Sequence, residues 1–411
     1  MKTVSVGSSI DSSQKLQNLI NTAGNTPTEF IFSTNDIEIA SPVKFFPGVK
    51  LSGNNTVFRL KDHISTSIFP SMTPVIGSKV YGGTGFEFSG LTFDGNSNNQ
   101  TTILGKGFHN FIGLSGASGI SIHDCHIHDS MGDGARLTNV KNVNYYKNKI
   151  VRCGHDAVYI DKGQNIDVFD NYVELRTNSG CRLRHVDGGH VHGNYIINKN
   201  GGRASSPGMQ VENSTSGMSS RNIIIENNDV HDTWGPGIWI IGTSNKSVSA
   251  ASGLTVRNNL FSNCGNMDSD YHHIPGVGGI TCEGWDDVVV EQNTFSRCLG
   301  YGVLFGEYVS VSASGSGYSA VVKNNIFNGT KRSNTVGTAS GTALCNLKPQ
   351  KYTKVIAQGN SYSGNVRDLY NVVEKPEPVI ENPAFLMFDC SENELKTIKE
   401  KYPRRTILRR A

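Results

Sequence analysis

Gly134-Ala-Arg-Leu137 returns as Ala157-Val-Tyr-Ile160 and, after an equal interval, as Gly180-Cys-Arg-Leu183. Within each copy an apolar residue alternates with a larger polar or aromatic one, which is the period of a β-strand. Further copies follow at intervals that are equal to the first or longer: Gly208-Met-Gln-Val211, Gly237-Ile-Trp-Ile240, Gly279-Ile-Thr-Cys282 and Gly302-Val-Leu-Phe305. A strand that recurs at so short a spacing predicts a solenoid of stacked coils.

A second series puts one asparagine in each coil, ahead of another short apolar segment. Asparagine tolerates the left-handed backbone conformation, and its amide can bond the asparagine of the next coil. A minimal coil of about 23 residues suits three short strands, whereas propeller blades need about 40 residues and helical repeats a period near 3.6. The series is Asn148, Asn171, Asn194, Asn228, Asn259, Asn293, Asn325 and Asn360, with Asp124 in an earlier coil. These features predict an all-β fold, a right-handed single-stranded parallel β-helix.

The coils divide the chain into a long solenoid and two ends. We expect the β-helix over residues 28–365, an N-terminal cap over residues 1–27 and a C-terminal cap or tail over residues 366–411. The N-terminal cap contains an amphipathic helix from about Ser12 to Ala23, and a second short helix is expected near Glu392–Lys401. Loop insertions are expected near residues 241–253, 263–277 and 307–318.

Composition excludes several classes of partner. The net charge is +3 and the chain has no concentrated basic stripe apart from its last residues, so nucleic acid is not an expected partner. No apolar run is long enough to cross a membrane, and the polar start shows no signal peptide. Eight cysteines form no C-x-x-C pair, and the alternating His123, His126 and His128 lack a cysteine or carboxylate cage, so no metal site is predicted.

The residues between the inward positions of the repeat point outward and stack from coil to coil. The first outward row is Arg136, Tyr159, Arg182, Gln210, Trp239 and Thr281, and the second is Thr138, Asp161, Arg184, Glu212, Ile241 and Glu283. Arginine bonds carboxylates in a bidentate manner and aromatic rings stack on sugars, so the rows predict a groove for an anionic glycan. The alternative is a structural ladder of paired charges. The predicted substrate-binding residues are Arg136, Tyr159, Asp161, Arg176, Asn178, Arg182, Arg184, Gln210, Glu212 and Trp239.

Asp133, His155 and Asp156 stand where a turn meets these strands on adjacent coils. Glycoside hydrolysis needs one carboxylic acid to protonate the leaving oxygen and one carboxylate to activate water or attack. Neighbouring carboxylates split their pKa values, so one can keep a proton near neutral pH, and His155 can assist. We therefore predict Asp133, Asp156 and His155 as catalytic residues. The alternative for either aspartate is a turn residue that caps backbone amides.

The segments Gly154-His-Asp-Ala-Val-Tyr-Ile160, Glu174-Leu-Arg-Thr-Asn-Ser-Gly-Cys-Arg-Leu183 and Thr233-Trp-Gly-Pro-Gly-Ile-Trp-Ile240 resemble the disaggregatase and disaggregatase-associated β-helix proteins of methanogenic archaea. The resemblance covers roughly residues 80–330. It implies depolymerisation of methanochondroitin, a matrix polysaccharide of uronic acid and N-acetylgalactosamine.

A looser similarity links the strand starts to polygalacturonases, which have three catalytic aspartates on adjacent coils. Asp133 and Asp156 match two of them, whereas His155 stands where that family has its usual acid, and Ser179 stands where it has a histidine. The mechanism of that family therefore cannot be carried over as it is.

Three hypotheses follow. The first is a glycoside hydrolase without a cofactor that cleaves an acidic matrix polysaccharide. The second is a polysaccharide lyase or uronate C5-epimerase, which would use Arg182, Tyr159 and His155, and Ca²⁺ to neutralise the uronate. The third is a non-catalytic viral spike or matrix protein that binds glycans, for which a homo-oligomer, typically a trimer, is expected. All three act outside the cell or on a virion.

Overall fold

The computed structural model describes residues 1–64, 74–78, 83–100, 110–199, 207–215, 217–242, 251–265, 278–306, 316–333, 339–375, 385–388 and 406–409. Residues up to Val373 form one compact unit. Its strands pair in parallel with the equivalent strands one coil earlier and one coil later. This confirms the predicted all-β parallel β-helix, whose coils have three faces, here called A, B and C.

Face A carries the Gly-x-x-x repeats. The alternate apolar residues, such as Leu137, Ile160 and Leu183, are buried in the core as predicted. Glycine is needed before the strand at Gly134, because a Cβ there would lie 2.6 Å from the carbonyl oxygen of Ala157. The strands of face A are Val43–Lys44, Ile76–Ser78, Ile112–Ser115, the first parts of Ala135–Tyr146 and Val158–Phe169, Cys181–Arg184, Met209–Asn213, Ile238–Gly242, Ile280–Glu283, Tyr301–Phe305, Thr342–Asn346 and Arg367–Tyr370.

Face B follows face A along the chain, and face C follows face B. The strands of face B are Lys2–Val6, Thr28–Phe32, the first parts of Val49–Leu60 and Gly83–Asp94, Ala117–His123, the second parts of Ala135–Tyr146 and Val158–Phe169, Asp187–His192, Arg221–Glu226, Ser252–Arg257, Asp286–Glu291, Ser319–Lys323 and Lys354–Gln358. The strands of face C are Asp36–Ile39, the second parts of Val49–Leu60 and Gly83–Asp94, His126–His128, Lys149–Val151, Tyr172–Glu174, Tyr195–Ile197, Asp229–His231, Leu260–Ser262, Thr294–Ser296, Ile326–Asn328 and Ser361–Ser363.

The predicted asparagine ladder lies at the turn between faces B and C. Asn171 accepts hydrogen bonds at Oδ1 from the backbone N–H and the Nδ2 of Asn148, both at 3.0 Å, and its own Nδ2 donates to Asn194 Oδ1 at 2.9 Å. The left-handed residue, however, is the one before each ladder position, for example Asp170 with φ 54°. The earlier coil is offset in the same way, because Cys125 rather than Asp124 bonds Asn148 Oδ1.

The ends of the chain differ in how much of them the structure describes. The helix Ser13–Asn21 falls within the predicted range and buries Leu16 and Ile20. The strand Lys2–Val6 pairs with Thr28–Phe32, so the β-helix starts before residue 28. Away from the ends, a one-turn 3₁₀ helix at Ser97–Asn99 follows the strand Gly83–Asp94.

Residues Glu374–Ala411 form a separate small unit. It contains the strands Glu374–Lys375, Phe385–Phe388 and Thr406–Arg409, of which the last two pair in parallel. The predicted helix near Glu392–Lys401 and most of the three predicted insertions lie outside the described residues. Among the helices that the structure describes, none has the length and apolar character needed to cross a membrane.

Candidate active site

The outward side chains of face A stack in the two predicted rows. Tyr159 pairs in register with Arg136 on one side and with Arg182 on the other, and Asp161 pairs with Arg184. The first row continues through Gln210, Trp239 and Thr281, and the second through Glu212, Ile241 and Glu283. The predicted order of both rows is therefore confirmed.

Some outward side chains in the middle of these two rows are buried, although they point away from the core. Tyr159, Gln210 and Glu212 expose only 2%, 4% and 6% of their surface. The side chains of Arg182 and Arg184 are more accessible, at 18% and 28%. A ligand that approaches this part of face A would meet guanidinium groups before it met the tyrosine or the carboxylate.

Tyr159 lies between two guanidinium groups. The Cζ atoms of Arg136 and Arg182 are 4.2 and 5.0 Å from the centre of its ring, and Arg184 Nη1 donates to its hydroxyl oxygen at 3.2 Å. These are cation–π contacts from the coils on either side. The ring of Tyr159 is thus covered and is not open to stack on a sugar, in contrast to the predicted role. Burial raises the pKa of its phenol.

Glu212 anchors the second row. Arg182 donates to Glu212 Oε2 from Nε at 3.0 Å and from Nη2, while its Nη1 lies 3.6 Å from Asp156 Oδ2. Gln210 Nε2 also donates to Glu212 Oε2, at 3.2 Å. In the same way Trp239 of the first row donates from Nε1 to Glu283, the next carboxylate of the second row, at 3.2 Å. The arginines are therefore paired within the protein, which is the structural ladder considered as the alternative.

Asp133, His155 and Asp156 come together at the strand starts, as the sequence predicts. His155 Nδ1 lies 2.6 Å from Asp133 Oδ1 and 3.1 Å from Asp156 Oδ2. Both carboxylates are fully buried, whereas the imidazole is 19% exposed. His155 Nε2 lies 3.1 Å from the amide nitrogen of Asn178. The imidazole, rather than either carboxylate, is the group of this cluster that reaches the surface.

The two buried aspartates also cap backbone amides. Asp133 Oδ1 accepts the backbone N–H of Asp156 at 3.0 Å, and Asp156 Oδ1 accepts the backbone N–H of Ser179 at 3.0 Å and the Ser179 hydroxyl. Asn110 Oδ1 accepts the backbone N–H of Asp133 at 3.1 Å, so the pattern begins one coil earlier. Arg136 Nη1 donates to Asp133 Oδ2 at 3.0 Å. This capping was the alternative interpretation of the aspartates, and it fixes both carboxylates behind the imidazole.

The charges of this cluster shift one another. Burial by itself would lower the pKa of His155, but the carboxylates of Asp156 and Asp133 outweigh it and raise that pKa to about 10. Burial by itself would raise the pKa of the Asp156 carboxyl. The cationic His155, together with Arg182 and the Ser179 hydroxyl, outweighs burial and lowers that pKa. At neutral pH the cluster therefore holds an imidazolium against an ionised carboxylate.

Two predicted binding residues, Arg176 and Asp161, contact side chains that lie outside the two rows. Arg176 Nη1 donates to Ser97 Oγ at 3.1 Å and lies 3.9 Å from Asp129 Oδ1, at the turn that follows face C. Asp161 Oδ1 lies 2.8 Å from His185 Nδ1. Sequence reasoning did not identify Asn110 as part of the capping series, although it precedes Asp133 by 23 residues, which is the repeat spacing.

Two models of known protein families match the sequence of this chain. A family model described as "Right handed beta helix region" matches residues 52–216 and 110–265, together more than half of the chain. This chain belongs to the right-handed β-helix family. A second model, described as "Disaggregatase related", matches residues 220–409. It confirms the predicted resemblance and lies further toward the C-terminus than most of the segments that carried it. A comparison with curated proteins found no match.

Solved structures share the fold of this β-helix protein at low sequence identity. The catalytic domain of a GH87 α-1,3-glucanase has a TM-score of 0.59 and 15% identity, over 91% of this chain and 68% of that one. A family 28 exopolygalacturonase of Yersinia enterocolitica has a TM-score of 0.54 and 11% identity, over 92% and 78%. The A-module of a mannuronan C-5 epimerase of Azotobacter vinelandii has a TM-score of 0.52 and 15% identity, over 90% and 97%. These similarities establish the fold.

The charge cluster of the β-helix protein predicts a pH window for its stability. The pKa of His155 is raised on folding, so its contribution is complete below the unfolded value near 6.5 and is lost as pH rises toward about 10. The pKa of Asp156 is lowered, so its contribution is present above about 4 and is lost as pH falls. Urea unfolding at a series of pH values checks both limbs. In His155→Gln the alkaline loss of stability should be smaller than in the wild type, and an equal loss in both proteins would contradict the assignment.

Proposed function

We propose that this protein binds an acidic polysaccharide on face A and hydrolyses its glycosidic bonds, with His155 as the proton donor. One observation carries the proposal: the accessible imidazole of His155 is backed by the buried carboxylates of Asp133 and Asp156. A carboxylate that bonds Nδ1 fixes the orientation of the ring and favours its protonated form, which leaves Nε2 to exchange a proton with a substrate.

In this proposal the two aspartates act through the histidine. Their oxygens already accept hydrogen bonds from His155, Arg136 and backbone amides, and neither side chain is exposed. We therefore assign Asp133 and Asp156 as positioning residues and His155 as the group that contacts the leaving oxygen. Asn178, whose side-chain amide lies beside His155 Nε2, would orient the sugar, and only the oxygen of that amide could accept a hydrogen bond from the protonated ring.

The protonation states favour hydrolysis over β-elimination. Elimination and C5 epimerisation begin with a base that removes a proton next to the uronate carboxylate. Carboxylates raise the pKa of His155 to about 10, and burial raises that of the Tyr159 phenol, so both groups hold their protons at neutral pH. A proton donor is what the departing glycosidic oxygen requires, and the water that adds to the sugar carbon gives up a proton that restores the imidazolium of His155.

Arg182, Arg184 and Arg136 would select the charge of the substrate. Their side chains are partly exposed, and Glu212, Tyr159 and Asp133 hold their guanidinium groups in fixed orientations. A guanidinium has five N–H donors, and fixed donors bind a carboxylate at a smaller cost in entropy. The match to the disaggregatase-related model supports a matrix polysaccharide of uronic acid and N-acetylhexosamine, such as methanochondroitin, and hence action outside the cell.

The test is incubation with methanochondroitin, chondroitin and polygalacturonate. Chain length, new reducing ends and the ultraviolet absorbance of unsaturated uronate are followed together. We expect shorter chains and new reducing ends without absorbance on at least one uronic-acid polymer. A rise in absorbance would show a lyase instead, and glycan binding without any shortening of the chains would show a binding protein.

A further inference from the structure

Two histidines and two carboxylates meet on the outside of face B, away from the strand starts of face A. His190 and His192 alternate on the strand Asp187–His192, with their ring centres 4.1 Å apart. Asp167 lies opposite His190 on the preceding coil, and Glu226 lies opposite His192 on the following coil. The side chains of His190, His192 and Asp167 are 39%, 28% and 37% exposed, so an ion from solution can reach them.

Two imidazole nitrogens converge on one carboxylate oxygen. His192 Nε2 lies 3.1 Å from Asp167 Oδ1, and His190 Nδ1 lies 3.8 Å from the same oxygen. Zinc–ligand bonds of about 2.0–2.2 Å in a tetrahedron set neighbouring ligand atoms roughly 3.4 Å apart. The two observed separations bracket that value, so small side-chain movements would bring the three atoms to a common centre.

The far side of His190 is held in the manner of a metal-bound histidine. His190 Nε2 lies 2.9 Å from Glu226 Oε1, and Arg257 Nε donates to the other oxygen of Glu226. A proton on Nε2 that is donated to Glu226 leaves the lone pair of Nδ1 directed toward Asp167. A carboxylate that bonds the second ring nitrogen of a histidine ligand fixes its tautomer and strengthens it as a donor. The ring of His192 is likewise fixed, since it stacks on Phe169 at 5.0 Å.

We propose that His190, His192 and Asp167 form a binding site for a divalent first-row transition metal such as Zn²⁺, with Glu226 as the carboxylate that orients His190. Two imidazoles and a carboxylate are ligands that zinc prefers, and three protein ligands leave a coordination position open. The metal displaces the proton that His192 Nε2 shares with Asp167, and that proton leaves to solvent. The ion would connect two successive coils of face B.

Two other clusters of histidine and aspartate show why this one is selected. At the end of face C, Asp129 beside His128 accepts a bidentate pair of hydrogen bonds from Arg152, and Arg59 lies 3.4 Å from Asp94. Guanidinium groups therefore already neutralise the carboxylates that a cation would need.

At the start of face A, Asp133 and Asp156 are fully buried and bonded to backbone amides, and Arg136 and Arg182 lie beside them. An ion would have to displace arginine at both of these places. At Asp167 the ion would displace only a proton.

The test is calorimetric titration of the full chain, freed of metal by a chelator, with Zn²⁺. We expect one equivalent of Zn²⁺ to bind, and this binding to be absent from the double variant His190→Gln and His192→Gln. The matched control is His126→Gln with His128→Gln, the other alternating histidine pair, which should bind like the wild type. Zn²⁺ should also raise the unfolding temperature of the wild type but not that of the first variant.

A third variant separates the orienting role from ligation. Glu226→Gln retains every proposed ligand and should weaken Zn²⁺ binding by about 10- to 100-fold. The proposal is overturned if the wild type takes up no Zn²⁺, or if the variant without His190 and His192 binds it with the same affinity. Because the substituted side chains lie on the exterior of faces B and C, the circular dichroism of all three variants should match that of the wild type.

Discussion

Replacing His155 with glutamine is expected to lower the rate of polysaccharide cleavage by about 10²- to 10⁴-fold, the usual contribution of a general acid. Glutamine can bond Asp133 or Asn178, but it cannot deliver a proton to the leaving oxygen. The rate is measured as new reducing ends per enzyme on the polymer that the wild type cleaves best. Because glutamine removes the imidazolium from between two buried carboxylates, the assay is run where urea unfolding shows that both proteins are folded.

The pH dependence of the same reaction separates chemistry from structure. Neighbouring carboxylates raise the pKa of His155 to about 10, so the wild-type rate should fall only as pH rises through that value. The residual rate of His155→Gln should lack this alkaline fall. The matched control is His231→Gln on face C, which also removes a histidine beside a carboxylate, Asp229, and should keep the full rate. Cleavage by His155→Gln at close to the wild-type rate would remove His155 as the proton donor.

The positions of the face A side chains could be predicted from the sequence because a repeat and an alternation contain them. Once Arg136, Tyr159 and Arg182 are aligned by the repeat, the pleat sets which way they point and the stacking sets their neighbours. The same reasoning brought Asp133, His155 and Asp156 together. These are consequences of backbone geometry, which does not depend on the identity of the outward side chains.

The depth of each side chain could not be predicted in this way. Alternation shows that Tyr159 and Glu212 point outward, but their burial depends on long neighbouring side chains that lie across them. The roles within the cluster depend on burial as well. A buried Asp133 orients a partner, whereas an exposed one would meet the substrate itself.

The directions of side chains in the turns could not be predicted from the sequence either. Arg176 and Asn178 stand two residues apart at the end of one turn, yet the first faces Asp129 and the second faces His155. Strand alternation does not extend into such a segment, where each backbone angle is set separately. For the same reason the left-handed residue of the asparagine turns was misplaced by one position, since Asp170 makes the turn and Asn171 supplies the amide.

Replacing Asn171 with alanine is expected to reduce the free energy of unfolding by about 3–5 kcal/mol, because buried polar groups left without a partner cost about 1–3 kcal/mol each. The backbone N–H and the amide of Asn148 would both lose the Oδ1 that they share. The carbonyl oxygen of Tyr145 and Asn194 Oδ1 would lose the donor that lies 2.9 Å from each. A methyl group would also leave a cavity too narrow to refill by movement of the stacked coils.

This loss of stability is expected only when an asparagine of the ladder is replaced. Asn144→Ala is the matched control, since Asn144 lies exposed on face B of the preceding coil, and its change should be within about 0.5 kcal/mol of zero. Urea unfolding, followed by circular dichroism, gives both values. A loss below about 1 kcal/mol in Asn171→Ala would mean that water enters the turn and replaces the amide. In that case the stacked strands alone, and not the asparagine ladder, would hold successive coils in register.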